Sequence, residues 1–518
     1  MKAKKQGKGK KPQGRSVLAI VGAVMVCLVL LLGCLSVFSA AWYVNIYGRT
    51  GFDSVLYTLS NGLKGAESSL ITSYLTASVL PASILWGLLV LLLYFPAKKG
   101  FILKIWGKKR KLFPLSRLAA ACLGLLVSLG LTVYAAYDIE LIDYVKAQLE
   151  GTELYQSEYI DPNEVAITFP EEKRNLVYII LESMETSYLS KTYGGAMEYN
   201  LIPELCSLAK NNINFSHNDT VGGFSQISGA SWTVGSMVAQ TGGVPLKVPL
   251  GIEDQQNGYG ANGVFLPGLT TLQDILHDNG YYQALMVGSR STYGGRRAYY
   301  LTHGIDKVYD LYTAREDGLI APDYFKWWGF EDLYLFEYAK EKLTEIASQE
   351  QPFAFTMLTA DTHHVGGYPC ALCKRQYKEN YDNVISCSSA QTAAFVQWLK
   401  EQPFYENTTV IIVGDHNSMD ANYFKRNVPE DYQRHVYNCF LNSAVTTENT
   451  ANRQFCAMDL FPTTLAAIGC TVEGDRLGFG TNLFSNVPTL IEKYGYDYFS
   501  EELSKRAFYY NRFYSSNG

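Results

Sequence analysis

The hydrophobic positions of this chain follow two regimes. Up to Asp138, three uncharged apolar stretches, Val17 to Val44, Leu70 to Phe95 and Leu118 to Tyr137, dominate. Each reaches the roughly 20 residues needed to cross a ~30 Å hydrocarbon core. The first is far longer than the ~7–15 apolar residues of a signal-peptide core, and Trp42 and Tyr43 at its end suit interfacial anchors. Beyond it the apolar runs shorten and alternate with amphipathic segments. Strands are predicted at Leu176–Leu181, Tyr282–Val287, Phe353–Leu358, Thr409–Val413 and Tyr437–Leu441. Helices are predicted near Leu269–Asn279, Asp332–Ala347, Ser389–Gln402 and Asp459–Ile468. Strands alternating with helices, spaced too widely for hairpins, predict an α/β domain with a mostly parallel sheet flanked by helices. The expected division is a basic arm over 1–15, a transmembrane domain over 16–138, a helical stalk or linker over 139–170 and the α/β domain over 171–518.

The net charge of −5 says little about partners, but its distribution does. Lys2, Lys4, Lys5, Lys8, Lys10, Lys11 and Arg15 precede the first span, and Lys98, Lys99, Lys104, Lys108, Lys109, Arg110, Lys111 and Arg117 separate the second from the third. The loop between the first two spans has only Arg49 and Lys64, set against Asp53 and Glu67. The positive-inside rule then places the basic segments in the cytoplasm and everything after Asp138 outside. Basic residues flanking membrane spans are better matched to anionic headgroups than to nucleic acid.

Two of the predicted strands end in groups that could hold a metal. Asn175–Leu181 runs into Glu182, and Thr409–Val413 runs through Gly414 into Asp415 and His416. Sheets of this class build active sites at the C-terminal ends of parallel strands. Thr233 stands at the entry of a predicted helix over Val234–Gln240, where the positive end of the dipole favours an alkoxide or a phosphate. Asp361-Thr-His363-His364 follows another strand, and Arg296 and Arg297 follow Gly294-Gly295, a setting suited to a phosphate fork. Taken singly, Glu182 reads equally as the end of a strand, Thr233 as a helix cap and Asp415-His416 as a chance pair. Together, two carboxylates, an imidazole and a hydroxyl are what a divalent cation needs to activate an alcohol. They point to a metal-dependent hydrolase or group transferase.

The cysteines divide in the same way. Cys27, Cys34 and Cys122 lie in the spans as small packing residues. Cys370, Cys373 and Cys387 cluster in a polar stretch; a lone CxxC in an oxidising compartment favours a disulfide from Cys370 or Cys373 to Cys387 over zinc.

Several of these segments carry a resemblance. Asn175-Leu-Val-Tyr-Ile-Ile-Leu-Glu-Ser, Trp232-Thr233 with Gly242-Gly-Val-Pro-Leu246, Arg296 with His303-Gly-Ile-Asp306, Asp361-Thr-His-His364, Val413-Gly-Asp-His416 and Arg476-Leu-Gly-Phe-Gly-Thr-Asn-Leu-Phe484 resemble the phosphoglycerol transferase branch of the alkaline phosphatase–sulfatase superfamily. That branch includes lipoteichoic acid synthases and, closer in motif order, the periplasmic-glucan phosphoglycerol transferases. The resemblance implies that Glu182, Thr233, Asp415 and His416 are metal ligands, with Thr233 also the nucleophile. It implies manganese, or else magnesium or zinc, and substrate contacts from Arg296 and from His363 or His364. The implied reaction moves phosphoglycerol from phosphatidylglycerol to an extracytoplasmic glucan, glycolipid or teichoic-acid-type acceptor, through a phosphoglycerol–threonine intermediate in a bacterial cytoplasmic-membrane protein. The cysteines of Tyr368-Pro-Cys-Ala-Leu-Cys373, and three spans instead of the five usual in lipoteichoic acid synthases, depart from the pattern. A phosphoethanolamine transferase would use the same residues. A sulfatase would need a Cys or Ser followed by x-Pro-x-Arg, absent around Thr233, and an inactive membrane sensor would have no reason to keep the whole ligand set.

Overall fold

The computed structural model describes residues 14–61, 68–94, 101–105, 108–112, 117–248 and 263–515. Most of the basic arm and parts of both inter-span loops therefore lie outside the described residues. The chain forms two compact units, one comprising 1–45 and 68–142, the other 46–67 and 143–518.

In the first unit, helix α1 (Gly14–Tyr47) is followed by a continuous helical run over 68–94 and later by α3 (Arg117–Asp138). Within these lie three helices long and apolar enough to cross a membrane, Ile20–Tyr47, Ile71–Leu93 and Leu118–Asp138. Their outward faces carry bare leucines such as Leu32, Leu92 and Leu126, the surface a lipid solvent requires. Polar groups between the helices find partners: Trp86 Nε1 donates to the Cys27 carbonyl at 2.8 Å and Ser128 Oγ to that of Val29 at 2.7 Å, as a medium without water demands.

The second unit is built on a seven-stranded sheet. Its strands are β1 (Asn175–Leu181), β2 (Gly223–Ser225), β3 (Tyr282–Val287), β4 (Lys307–Tyr309), β5 (Phe353–Leu358), β6 (Thr408–Gly414) and β7 (His435–Leu441). They lie in the order β2-β7-β6-β1-β5-β3-β4. The five from β6 to β4 pair in parallel, and β7 runs antiparallel to both β6 and β2. Near-continuous apolar strands are the signature of a sheet buried on both faces. Leu176, Tyr178 and Ile180 of β1 pack into one core with Met237 of α4 (Thr233–Gly242) and Phe461 of α8 (Leu460–Ala467). The alternate residues Val177, Ile179 and Leu181 enter a second core with Leu335 of α6 (Asp332–Ala347) and Val396 of α7 (Asn380–Lys400). Helix α5 (Arg296–Thr302) follows the turn after β3.

Two segments depart from the expected boundaries. The second half of the predicted stalk is folded into the sheet-bearing unit: Tyr155, only 1% exposed, meets Phe479 at 4.7 Å and Tyr510 at 5.9 Å between ring centroids. The inter-span segment with α2 (Phe52–Asn61), expected to belong to the membrane domain, also joins this unit. Tyr57 lies 5.3 Å from the Trp232 ring and donates to the Gly294 carbonyl, and Ser231 Oγ donates to the Thr50 carbonyl at 3.0 Å. Burial pushes the Asp53 carboxyl up to about 6 and the Lys247 ammonium down to about 8, each offset in part by the other's charge.

Truncating a buried aromatic costs about 3–5 kcal/mol. Tyr155→Ala should therefore destabilise the full chain by that amount in denaturant unfolding in detergent. A loss below about 1 kcal/mol would mean that this segment is only a linker.

Candidate active site

Strand register creates the site. Leu181 pairs with Gly414, and Ile180 with both Val413 and Leu358, so the next residues on three adjacent strands emerge side by side. Glu182 and Asp415 leave the sheet together, 2% and 0% exposed. Gly414 is required there, because a Cβ would stand 2.0 Å from the Met184 carbonyl oxygen. Ser183 turns the chain at φ +54°, a left-handed conformation uncommon for a residue with a Cβ. Its N–H donates to Asp415 Oδ1 at 2.7 Å and its hydroxyl to Glu182 Oε1 at 2.7 Å.

Thr233 opens α4 beside these groups. Its Oγ1 lies 3.3 Å from Glu182 Oε2 and 3.4 Å from His416 Nε2. His416 Nε2 is 3.3 Å from Asp415 Oδ2, while Nδ1 engages the Asn417 carbonyl at 2.9 Å, which turns Nε2 toward the carboxylates. The helix is stitched to the strand ends. Ser236 Oγ donates to the Asp415 carbonyl, and Gln240 donates to the Gly414 carbonyl at 3.1 Å while accepting from Tyr178 at 3.0 Å.

The structure thus brings together the four residues expected to hold a metal. Ligand atoms of Glu182, Asp415 and His416 all lie within 4.8 Å of one another. Burial and the Glu182 charge push the Asp415 carboxyl well above its usual range. Burial acts the same way on Glu182, but His363, His416 and the Ser183 hydroxyl outweigh it and hold that carboxyl low. Asp415 Oδ2 has no hydrogen-bond partner. A buried oxygen without a donor, a second carboxylate, an imidazole and a hydroxyl fit a divalent cation.

The substrate-binding candidates sit around this set. Arg296, buried at the start of α5, donates to Ser289 Oγ at 2.9 Å and to the Tyr293 and Arg290 carbonyls at 3.0 Å, which fixes its guanidinium plane. The Glu182 charge is felt at Arg296. His363 and His364 stack with ring centroids 4.4 Å apart; His363 faces Trp328 at 4.7 Å and His364 faces Tyr47 at 4.9 Å. Burial depresses both imidazoles, with Glu182 acting oppositely on His363. Ser183, Ser236, Gln240 and Tyr47 were not singled out from sequence. Of these only Ser183, next to a strand-end carboxylate, had a positional signal.

The expected disulfide to Cys387 is not formed in the structure: Cys370 Sγ lies 3.8 Å from the sulfurs of both Cys373 and Cys387, against about 2.05 Å for a disulfide, and the three unbonded sulfurs cluster as the sequence suggested.

The Asp415 charge should cost stability when no cation is bound. Its folded pKa lies above its unfolded value of about 3.9, so the folded state holds a proton the unfolded state has lost. That stability is complete below the unfolded value and drains away as pH rises toward neutrality. Chelator-treated Asp415→Asn should therefore melt higher than chelated wild type at pH 7 and show a flatter pH dependence. A lower melting temperature would contradict this account of the site.

The sulfatase family matches residues 174–470. Phosphoglycerol transferase I of Escherichia fergusonii is 30% identical over 404 residues, 76% of this chain and 48% of that protein. The chain spans about half the length of the curated relatives it matches. Lipoteichoic acid synthase from Listeria monocytogenes is similar in structure at TM-score 0.48 and 18% identity, covering 64% of this chain and 80% of that one. The lipooligosaccharide phosphoethanolamine transferase A of Neisseria meningitidis gives TM-score 0.48 and 13% identity over 87% of this chain and 84% of its own. With more than half of its residues matched, including every strand of the main sheet and all four clustered site residues, the chain belongs to the sulfatase family.

Proposed function

We propose that this protein is a membrane-tethered phosphoglycerol transferase, with Thr233 as nucleophile and the catalytic unit outside the cytoplasm. The observation that carries the reading is the Thr233 hydroxyl, at a helix N-terminus and within 3.4 Å of both Glu182 and His416. The phosphoglycerol transferase I relatives support the choice of transferred group. A divalent cation held by Glu182, Asp415, His416 and Thr233, manganese in our reading with magnesium or zinc as alternatives, would lower the pKa of the hydroxyl and offset charge on the phosphate.

The chain's own groups account for the remaining steps. Thr233 Oγ1 bonds to the phosphorus of phosphatidylglycerol as the bond to the diacylglycerol oxygen breaks; the proton lost by the threonine hydroxyl ends on that oxygen, so diacylglycerol leaves as an alcohol and phosphoglycerol stays on the threonine. Arg296, its plane fixed by Ser289 and two carbonyls, is suited to the non-bridging oxygens. Burial, opposed in part by the Glu182 charge, lowers the pKa of His363. With Nδ1–H donating to the His364 carbonyl at 2.7 Å, Nε2 is left to accept the proton of the incoming hydroxyl. That hydroxyl, on a cell-envelope glycan, glycolipid or teichoic-acid-type polymer, attacks phosphorus and frees Thr233. Membrane spans suit such a donor, because diacylglycerol departs into the bilayer.

Membranes given headgroup-labelled phosphatidylglycerol should label an envelope acceptor and, transiently, the protein itself. Thr233→Ala should fold normally, carry no adduct and lose turnover by a factor on the order of 10⁴–10⁶. Near-wild-type turnover would overturn the nucleophile, and label transferred only from phosphatidylethanolamine would overturn the donor. A reporter fused after Asp138 should read as extracytoplasmic and one near Lys108 as cytoplasmic; the reverse pattern would refute the orientation.

A further inference from the structure

The reading above leaves Cys370, Cys373 and Cys387 without a role. Their sulfurs lie within 4.8 Å of one another, at 3.8 Å for the two pairs that include Cys370. Two sulfurs each about 2.3 Å from a tetrahedral zinc are separated by about 3.8 Å. We propose that these three cysteines supply three thiolate ligands to a zinc ion distinct from the Thr233 centre.

Three further observations support this. The first is the turn. Cys373 N–H donates to the Cys370 carbonyl at 3.2 Å, which closes the CxxC segment into a turn and keeps both of its sulfurs near Cys387. The second is the surroundings. Gln391 Nε2 donates to Cys387 Sγ at 3.4 Å, as expected of an outer partner to a metal-bound thiolate. The third is an unmet polar group nearby in the chain: Asp361, on the same loop, is buried with both carboxylate oxygens unpartnered. A disulfide between any two of the cysteines would instead leave the third sulfur in contact with it, poised for exchange.

The site would brace the active centre from behind. Cys370 and Cys373 lie on the loop after His363 and His364, while Cys387 sits on α7. The same helix already holds that loop through Tyr381, which donates to the Thr362 carbonyl at 2.8 Å, and Asn380, which donates to that of Gly366 at 2.8 Å. The metal would act on the histidines through loop position, without touching substrate.

The test uses the full chain purified in detergent without reductant. Elemental analysis should find zinc that persists in a Glu182→Gln/Asp415→Asn variant and is lost in Cys387→Ser and Cys373→Ser. A thiol-specific mercurial should release that zinc from the wild-type protein, a readout independent of whether the cysteine variants fold. Cobalt exchanged into the Glu182→Gln/Asp415→Asn protein should show a thiolate-to-metal charge-transfer band. A disulfide-linked peptide among the three cysteines in the non-reduced digest would overturn the proposal, as would zinc that does not respond to the mercurial. Three alkylatable thiols with no bound metal would overturn it equally.

Discussion

Two carboxylates, Glu182 and Asp415, emerge side by side from adjacent parallel strands with almost no access to water, and the surrounding architecture answers to that pairing. Their neighbourhood is not a matter of side-chain choice. It follows from the register of β1 against β6, in which Leu181 faces Gly414. Side by side in a buried setting, the charges oppose each other. The structure responds with donors: the N–H groups of Ser183 and His416 reach Asp415 Oδ1, and the Ser183 hydroxyl reaches Glu182. One oxygen, Asp415 Oδ2, remains unserved, and a cation would satisfy it.

The supporting network explains why α4 enters where it does. Ser236 and Gln240, one and two turns along the helix, bind the carbonyls of Asp415 and Gly414, and Tyr178 from the middle of β1 completes the chain. Thr233 is placed by polar bonds from its helix to the backbone of the very strand that leads into Asp415 and His416. A shift of the helix along its axis would break these bonds together, so the Thr233 hydroxyl, the two carboxylates and the His416 imidazole are held as one group.

Much of this was legible in the sequence where one physical rule dominates. Strands covered on both faces must be apolar at every position, and β1, β3, β5 and β6 stand within a residue of their expected limits. Chains leaving such strands expose their polar groups at the sheet's C-terminal end, which is why Glu182, Asp415 and His416 could be picked out. The unreadable features were those whose signal lies in a distant partner. Tyr155 has the apolar body of a stalk residue until Phe479 and Tyr510, more than 300 residues away, enclose it. Cys387 lies 17 residues from Cys370 on what was expected to be loop, yet α7 begins at Asn380 and turns its sulfur toward the CxxC turn. Ser183 was passed over because φ cannot be read from residue type.

The inter-span segment changes what counts as the catalytic domain. Tyr57 closes over Trp232 and the Gly294 carbonyl, Thr50 accepts from Ser231, and the Asp53 charge acts on Lys247. These contacts flank Thr233 on one side and Arg296 on the other, yet they come from a stretch that precedes the sheet by more than 100 residues. A fragment cut to begin at residue 143 would retain Glu182, Thr233, Asp415 and His416 but lose part of the wall around Trp232. Its Trp232 ring would be opened to water, and Lys247 would lose the Asp53 charge that acts on it. Measurements on such a fragment would describe a pocket with one side removed, so the smallest faithful version of this unit includes the 46–67 segment.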